Sequence, residues 1–593
     1  MRESPLVAGC RSADTHAREW VLRGSVHFQG LTVTKGLAVP EDPQTDPSSQ
    51  TNPSSQANPS SQTNPSSQTN PSRRRFIGGG VAAAAAVVAG GAALAACSTE
   101  KSAGSGTAGA PATGMAAPTS GIPLEKATLH GNEVIATPIG DITLTNTYFD
   151  DDASTRLYDE MDFQRATQSY VWSTPLVSIA TWRDAQAKAY RVTGETDFVV
   201  LRSLKEKRGI VTGNLTTPYL FNFLSLEKGP LEIEYPAGQT AAGVLDFWQR
   251  PVTDLGLTGP DQGRGGKYII VGPADDPATF DKPGYFVRQS ATNNICVGLR
   301  ILDKDPAFYE QFKSTLKMGR VGQPLATSRF IEDKDVEWSA TAPRGLDYWR
   351  TLSGVISEEP VRPVDKAWMA MLLPLGIEKG KAFDPDERQQ NILLRGAAMG
   401  ELMARNLQVN PRYTEPYWPG TSWYKSFDFS LEQETDTRVE LDERVTWFYE
   451  AVASSEGMVN PTVGAGQVYM TTKRDSKGDL LRADKTYKLR VPKDVPVGQF
   501  WALTLYSENT RRAYDNGGTE IRSANLDSRL PDLVTNSDGS IDLYVGAKAP
   551  EGFEKNYMKT VGDDGWFVYF RLYAPLQPFF DKTFALPDFE MID

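Results

Sequence analysis

The sequence predicts an α+β fold in which two β-rich domains are joined by a helical connector. Short runs of β-branched and aromatic residues, separated by turn residues, occur between residues 198 and 288 and again between residues 500 and 573. A segment with helical periodicity lies between them, over residues 386–408. The first 126 residues instead have the composition of a disordered leader, an export signal and a tether, which cannot form a hydrophobic core.

The leader, residues 1–71, is dominated by a repeated hexapeptide. The motif TNPSSQ recurs with small variations from Thr45 onwards, and it contains no apolar side chain. Regular proline without apolar residues predicts a disordered spacer. Because this leader is unusually long, we expect translation to start downstream of Met1, with a genuine long leader as the alternative. The start codon would then be of the GTG or TTG type, at a position such as Val26, Leu31, Val33, Leu37 or Val39.

Residues 72–97 match a twin-arginine lipoprotein signal. The run SRRRFI places Arg73 and Arg74 at the twin-arginine positions, and an Ala-, Val- and Gly-rich run then leads to the sequence LAAC, which ends at Cys97. The alternative is a transmembrane helix, but glycine and alanine give such a run weak insertion energy. The signal predicts a cell-envelope protein that is anchored outside the cytoplasmic membrane by lipid on Cys97. Residues 98–126 would be the tether.

The remaining chain divides into three predicted segments. A first β-rich domain covers residues 127–310, a helical connector covers 311–460, and a second β domain of the sandwich or jelly-roll type covers 461–593. We also expect a helix over residues 155–190, broken at Pro175. The helix at 386–408 is expected to start with Asp384 as N-cap and Pro385 in its first turn.

Composition excludes several classes of function. The net charge of −12 makes nucleic acid an unsuitable partner. The histidines are His16, His27 and His130, so any chemistry in the chain after residue 130 proceeds without imidazole. This excludes Ser-His-Asp triads, Cys-His dyads and His-ligated zinc, iron or copper. We therefore predict no transition metal and no cofactor, and Cys296 is expected to be a buried small apolar residue.

Several segments resemble a pair of domains of unknown function. Residues 498–506, 536–544, 555–557 and 571–575 are similar to DUF1214, while 170–177, 214–219, 229–231 and 270–273 are similar to its usual partner DUF1254. Residues 376–386 resemble the connector, and the whole resemblance spans roughly residues 150–590. It implies two β domains but no settled activity.

Two positions depart from the family pattern. Many DUF1254 members have the sequence NNDTLY where this chain has NLTTPY, from Asn214 to Tyr219, so a carboxylate role there cannot be transferred. The Asn-Trp pair that is common in DUF1214 is Asn556-Tyr557 here.

Three groups of residues are candidates for ligand binding. The segment from residue 413 to 424 holds five aromatic residues with Glu415, as in sites for sugars or flat ligands, although it could instead plug the junction between the β domains. Arg300 and Arg571 form the second group: they lie inside apolar stretches, where we expect a buried ion pair for each, with ligand binding as the alternative. The third group is Asn214 and Tyr219 in the DUF1254-like segment. The residues carried forward are Tyr417, Trp418, Trp423, Asn214, Tyr219, Arg300 and Arg571.

Two functions from different classes remain open. The first is an envelope module that binds a small molecule or glycan, or that assembles with itself into a homo-oligomer. The second is a histidine-free, carboxylate-based hydrolase or lyase acting on envelope glycans or lipids, which requires two carboxylates roughly 5–10 Å apart in an open pocket. The acidic pairs Asp275-Asp276 and Glu358-Glu359 are interpreted as surface groups.

Overall fold

The computed structural model describes residues 121–593. The predicted leader, most of the tether and the signal with Arg73, Arg74 and Cys97 lie outside the described residues. The first described residues already take part in the fold, because Ile122 and Pro123 pair with the strand over residues 133–137. The fold thus begins a few residues before Ala127, where we expect the tether to end.

A small sheet precedes a long helix at the start of the described chain. The Asp150 side chain accepts a hydrogen bond from Ala153 N at 2.7 Å and caps the helix, and Arg191 ends it in the left-handed conformation with φ of 50°. The elements are β1 (Ile122–Pro123), β2 (Glu133–Thr137), β3 (Gly140–Thr145), β4 (Tyr148–Phe149) and α1 (Asp151–Tyr190).

Helix α1 continues through Pro175, so the break predicted at this residue is wrong. Proline removes one backbone donor and its ring crowds the preceding turn. Side chains supply hydrogen bonds nearby: Thr174 Oγ1 and Tyr348 Oη donate to Tyr170 O at 2.9 and 3.0 Å, and Gln249 Nε2 donates to Pro175 O at 2.7 Å. Contacts from Tyr348 and Gln249 therefore hold the helix on both sides of Pro175, where local sequence alone predicts a break.

The first β domain consists of two packed sheets with strand orders β11-β10-β7-β13-β14 and β15-β5-β6-β12-β8-β9. Alternate residues of both sheets meet in a buried apolar core, as expected for strands with a period of two. The elements are β5 (Phe198–Leu201), α2 (Leu204–Lys207), β6 (Tyr219–Ser225), β7 (Leu231–Tyr235), β8 (Thr240–Asp246), β9 (Pro251–Gly256), β10 (Gly266–Val271), β11 (Tyr285–Gln289), β12 (Asn294–Ile301), α3 (Pro306–Thr315), β13 (Lys317–Arg320), β14 (Ala326–Thr327) and β15 (Phe330–Ile331).

The helical connector packs around α1, which lies outside the predicted connector. Gly396 and Gly400 let the backbones approach closely, since a Cβ on either would lie about 2.5 Å from Ala166 Cβ or Tyr170 Cβ. The elements are α4 (Leu346–Glu358), α5 (Lys366–Leu372), α6 (Glu387–Val409), β16 (Tyr424–Lys425), α7 (Leu441–Glu450) and α8 (Glu456–Val459).

The N-terminus of α6 differs from its predicted position. Asp386, not Asp384, is the N-cap, and its side chain forms a capping box with Gln389. The prediction chose the residue before Pro385, but the reciprocal hydrogen bonds to the third helical residue favour the later start.

The second β domain is a sandwich of two sheets, with strand orders β16-β17-β23-β19-β20 and β22-β21-β18-β24. A second apolar core fills the space between them. The predicted fold class is confirmed: the structure is mixed α+β, with two β domains and a helical connector. The elements are β17 (Gln467–Thr472), β18 (Tyr487–Val491), β19 (Trp501–Ser507), β20 (Asn525–Asp527), β21 (Ile541–Gly546), β22 (Tyr557–Lys559), β23 (Trp566–Tyr573), α9 (Gln577–Phe580) and β24 (Glu590–Met591).

Short 3₁₀ turns link several of these elements. Their bounds are Leu124–Lys126, Leu226–Lys228, Pro277–Phe280, Pro363–Asp365, Leu373–Leu375, Ile521–Ser523 and Glu554–Asn556.

Candidate functional site

A cavity lies where the two β domains meet. Its volume is about 910 Å³, including its opening to solvent. The six-stranded sheet of the first domain contributes residues from β6, β8 and β12, and the second domain contributes residues from β17 and β23. Helix α7 and the loop that follows it complete the wall.

Strand register places an arginine and a tyrosine side by side on the cavity floor. Arg300 on β12 pairs with Tyr219 on β6 and with Ala241 on β8. The next row towards the middle of the sheet has Gly298 between Phe221 and Gly243 on the same three strands. Because side chains alternate between faces, these two rows face the cavity while their neighbours enter the inter-sheet core.

Arg300 forms no hydrogen bond with any described residue. Its Nη1 atom is buried and has no acceptor, although a guanidinium offers five N–H donors and stays charged at any physiological pH. Among residues 121–593, its strongest electrostatic neighbours are Tyr469, Tyr219, Tyr573 and Arg571, and no carboxylate belongs to this group. Within the described part of the chain, Arg300 is thus a cation at the cavity without a carboxylate among its main electrostatic neighbours.

Arg571 reaches the same cavity from the second β domain and is only 1% exposed. Its Nη1 donates to Thr504 Oγ1 at 3.0 Å and its Nη2 donates to Thr212 O at 3.1 Å, while Nε has no acceptor within the described chain. The guanidinium lies 5.0 Å from the ring centroids of both Tyr469 and Tyr569. These contacts fix the position of the guanidinium without neutralising it.

The expectation of a buried ion pair at each arginine is therefore wrong. Neither side chain has an Asp or Glu among its main electrostatic neighbours in residues 121–593. Burial lowers the pKa of Arg300, but the neighbouring tyrosines outweigh this effect, so the pKa lies above its ordinary value. Sequence alone could not show this, because 74 acidic residues are available as partners. Two neighbouring cations remain, each with an unused N–H.

The loop between α2 and β6 lies beside Arg571, and hydrogen bonds to the second β domain hold it there. Asn214 Nδ2 donates to Tyr573 Oη at 2.8 Å, and Tyr506 Oη donates to Gly213 O at 2.9 Å. Buried Lys207 holds the other end of the loop by donating to Leu215 O and Thr217 O at 3.0 and 2.8 Å. Burial lowers the pKa of Lys207 to about 7. Asn214 thus positions the loop and does not itself line the cavity.

Among the tyrosines that line the cavity, Tyr219 is the one whose hydroxyl donates no hydrogen bond to a described residue. Its oxygen accepts from Asn214 N at 3.1 Å, and no described residue accepts from it. By contrast, Tyr469 donates to Gln467 Oε1 at 2.9 Å, and Tyr569 donates to the Glu450 carboxylate. Tyr219, Arg300 and Arg571 together offer three donors and no acceptor, as expected of a site for an oxyanion.

The wall behind Tyr569 contains a buried ion pair. Glu450 on α7 and Lys473, which directly follows β17, are 3% and 4% exposed, and Lys473 Nζ lies 2.7 Å from Glu450 Oε2. Burial lowers the pKa of Lys473, but the Glu450 charge outweighs it, so this pKa lies above its ordinary value. The pair holds the Tyr569 phenol at the cavity.

Asp254 ties down the loop that forms the outer wall. Its buried carboxylate accepts from Glu456 N at 3.3 Å and from Gly457 N at 3.2 Å. Gln249 Oε1 accepts from Ala453 N at 2.7 Å on the same loop. Burial raises the pKa of Asp254 to about 6, so the carboxylate remains charged at neutral pH.

Comparison with known families identifies the two halves of this cavity. Residues 196–318 match DUF1254 and residues 466–577 match DUF1214, each described as a protein of unknown function. The chain therefore contains both domains. Arg300 and Tyr219 belong to the DUF1254 domain, while Arg571, Tyr469 and Tyr569 belong to the DUF1214 domain. Each domain thus supplies one arginine to the shared cavity.

Solved structures show distant similarity to the chain. The crystal structure of the VPA0106 protein from Vibrio parahaemolyticus has 14% identity and a TM-score of 0.45, and the match covers 73% of this chain and all of that one. An uncharacterized protein from Burkholderia cenocepacia has 12% identity and a TM-score of 0.33, with coverage of 74% and 97%. No curated protein matches the chain. These similarities identify no activity.

The predicted aromatic site lies elsewhere, and the rings of Tyr417, Trp418 and Trp423 pack in the second β domain instead of lining the cavity. Trp418 and Trp423 are fully buried in the core of the DUF1214 domain. Tyr417 stacks on Phe579 with ring centroids 4.7 Å apart. The alternative, that the segment plugs the junction between the β domains, is also wrong, because these rings enter the sandwich core of one domain. Aromatic density in the sequence indicated core packing here.

Three further features of residues 121–593 bear on function: possible metal ligands, possible membrane-spanning helices and the thiol of Cys296. In the described part of the chain, no cluster of His, Cys, Asp and Glu could hold a metal ion. Nor is any helix over residues 121–593 long and apolar enough to cross a membrane. Cys296 is fully buried in β12, as expected from its apolar surroundings, and burial raises its pKa.

Proposed function

We propose that the cavity between the DUF1254 and DUF1214 domains binds a small organic anion. Arg300, Arg571 and Tyr219 would hold its charged group, and the apolar wall that includes Trp182 and Phe221 would contact its body. The observation that carries the proposal is the pair of arginines with unused N–H groups and no carboxylate among their main electrostatic neighbours in residues 121–593. This refines the predicted small-molecule binder and gives no support to a glycan site at the aromatic segment.

Electrostatic energy supports an anionic ligand. Removing a cation from water costs several kcal/mol unless a counter-charge and hydrogen bonds compensate for it. Here two guanidinium groups share a cavity that is otherwise mostly apolar. An oxyanion would neutralise one charge and accept the unused donors of both arginines in short, charge-assisted hydrogen bonds. Guanidinium geometry suits carboxylates particularly well because two N–H groups can bind two oxygens.

A carboxylate-based hydrolase or lyase has little support at this site. None of the described cavity-lining residues is Asp or Glu, whereas that chemistry requires two carboxylates facing the substrate. Asp276 caps a 3₁₀ turn and Glu358 pairs with Arg183. Glu359 accepts hydrogen bonds from Asn293 N and Asn294 N, and burial raises its pKa to about 7. Each of these acidic groups has a structural partner.

We expect the protein to bind organic acids but not their neutral amides. Calorimetric titration of the full chain, purified in detergent and anion-poor buffer, would compare benzoate with benzamide and hexanoate with hexanamide. Because charge-assisted hydrogen bonds contribute about 1.5–3 kcal/mol each, the acids should bind at least tenfold more tightly. Equal binding of acids and amides, or no binding by any acid, would refute the proposed anion site.

The cell-envelope location is part of the same proposal. The export motif and lipobox support a protein that is anchored by lipid on Cys97 and presents this cavity outside the cytoplasmic membrane. We expect Cys97→Ser to shift the protein from the membrane fraction to a soluble or unprocessed form, as measured by detergent partitioning. A Cys97→Ser protein that is processed and still enters the detergent phase would contradict the anchor.

A further inference from the structure

The cavity floor contains two adjacent glycines in the middle of a β-sheet. Gly298 on β12 and Gly243 on β8 are register partners, and both line the cavity. Glycine inside a strand weakens it by losing side-chain packing and chain entropy, and it often marks close approach of a ligand. Neither glycine has positive φ, so backbone conformation does not require glycine at these positions. The groups that lie above the sheet at each position must therefore account for the two glycines.

A Cβ at Gly243 would fit without a clash and would make only ordinary van der Waals contacts. A Cβ at this position would have Asp254 Oδ1 at 3.6 Å and Thr253 O at 3.8 Å, both from the neighbouring strand, as its nearest contacts. Above Gly298 the situation differs, because a Cβ would lie 2.8 Å from Phe221 Cε1. The Phe221 ring thus leans over one end of the glycine pair and leaves the other end uncovered.

Aromatic rings line the cavity next to the glycine pair. The Phe221 and Trp182 rings meet edge to face with centroids 4.4 Å apart, and both line the cavity. At the glycine pair, β12 and β8 themselves carry no side chain on this face of the sheet. A planar group could therefore lie against the sheet beside these rings, in contact distance of both surfaces.

The distance between the glycines and the arginine limits the size of the ligand. Arg300 is two residues from Gly298 along the same strand, which corresponds to a separation of about 7 Å between their backbones. An oxyanion held by Arg300, Arg571 and Tyr219 would place the next group of the ligand over Gly298 and Gly243. One ring joined directly or through a short link to the anionic group matches this spacing.

We infer that the ligand is a planar organic acid whose ring lies on the floor formed by Gly243 and Gly298. The inference rests on the proposed anion site, and it adds the shape of the apolar body. Gly243 is then a specificity-determining position, since a side chain there would occupy the place of the ring. The charged group would remain bound by residues one register row away.

Binding of three acids by graded Gly243 variants tests the inference on the full chain. Wild type should bind benzoate at least tenfold more tightly than acetate or the non-planar cyclohexanecarboxylate. Gly243→Leu should weaken benzoate binding at least tenfold and leave acetate binding unchanged, while Gly243→Ala should change either affinity less than threefold. Thermal unfolding checks that the variants are folded, and Gly243→Val replaces the Leu variant if that one does not fold.

The outcomes separate this inference from the proposed function. If benzoate and acetate bind equally and Gly243→Leu affects neither, the planar-ligand inference fails and the anion site stands. Binding of cyclohexanecarboxylate as tight as that of benzoate also overturns it. If no acid binds to wild type, the proposed function itself fails.

Discussion

Arg300→Met should weaken the binding of organic acids strongly without destabilising the protein. Arg300 has no hydrogen-bond acceptor and no carboxylate neighbour in residues 121–593, so its removal breaks no internal interaction. Replacing a partly buried cation by an apolar side chain of similar length should raise the free energy of unfolding of the ligand-free protein by on the order of 1 kcal/mol. Affinity for benzoate should fall by roughly 10- to 100-fold, because at least one charge-assisted hydrogen bond is lost.

Arg571→Met provides the matched control for this result. Arg571 donates to Thr504 Oγ1 and to Thr212 O, so its loss removes two buried hydrogen bonds as well as a charge. Both variants should lose affinity, but only Arg571→Met should also lower the free energy of unfolding, by about 1–3 kcal/mol. Urea unfolding followed by circular dichroism, with calorimetry for binding, measures both quantities. A clear loss of stability in Arg300→Met would show that Arg300 has a structural partner.

The sequence predicted which residues belong to the site better than it predicted how these residues are arranged. Arg300 was recognisable because a charged residue occurs within an apolar strand, and strand periodicity places it on the face opposite the inter-sheet core. The same argument applies to Arg571 in β23. The structure brings these two residues together with Tyr219, while Asn214 supports the loop beside them. Local patterns thus identified the residues, but not that two domains share them.

Residues missed by the sequence analysis depend on contacts between distant segments. Gly243 and Gly298 matter because β8 and β12 are register partners, which a strand pattern does not specify. Asp254 matters because its carboxylate meets the backbone of residues 456–457, some 200 positions later. Conversely, the sequence predicts that Trp418 and Trp423 are accessible to a ligand, because their segment contains proline and glycine. Such a segment can still enter a core when its backbone groups are paired elsewhere, as Trp423 O is with Tyr417 N.

Of the polar contacts in the cavity wall, the Glu450–Lys473 pair should cost the most free energy of unfolding when one partner is replaced. Both side chains are almost fully buried, and Glu450 also accepts from Gln408 Nε2 at 2.6 Å and from the Tyr569 phenol. Lys473→Met should lower the free energy of unfolding by about 3–5 kcal/mol, because it leaves a buried carboxylate without its counter-charge. The double variant Glu450→Gln with Lys473→Met should recover most of this loss, since no uncompensated charge remains at that position.

The loss in Lys473→Met should also depend on pH, because a second acid lies beside the pair. Burial raises the pKa of Glu508 to about 7 even with Lys473 present, and removal of the ammonium raises it further. A group whose folded-state pKa exceeds its unfolded value contributes stability below the unfolded value and loses it as pH rises through the folded one. The Lys473→Met deficit should therefore be smaller at pH 5 than at pH 8. Urea midpoints of wild type and both variants at the two pH values measure this, and a deficit that grows on acidification would contradict the assignment of Glu508 as the buried acid beside the pair.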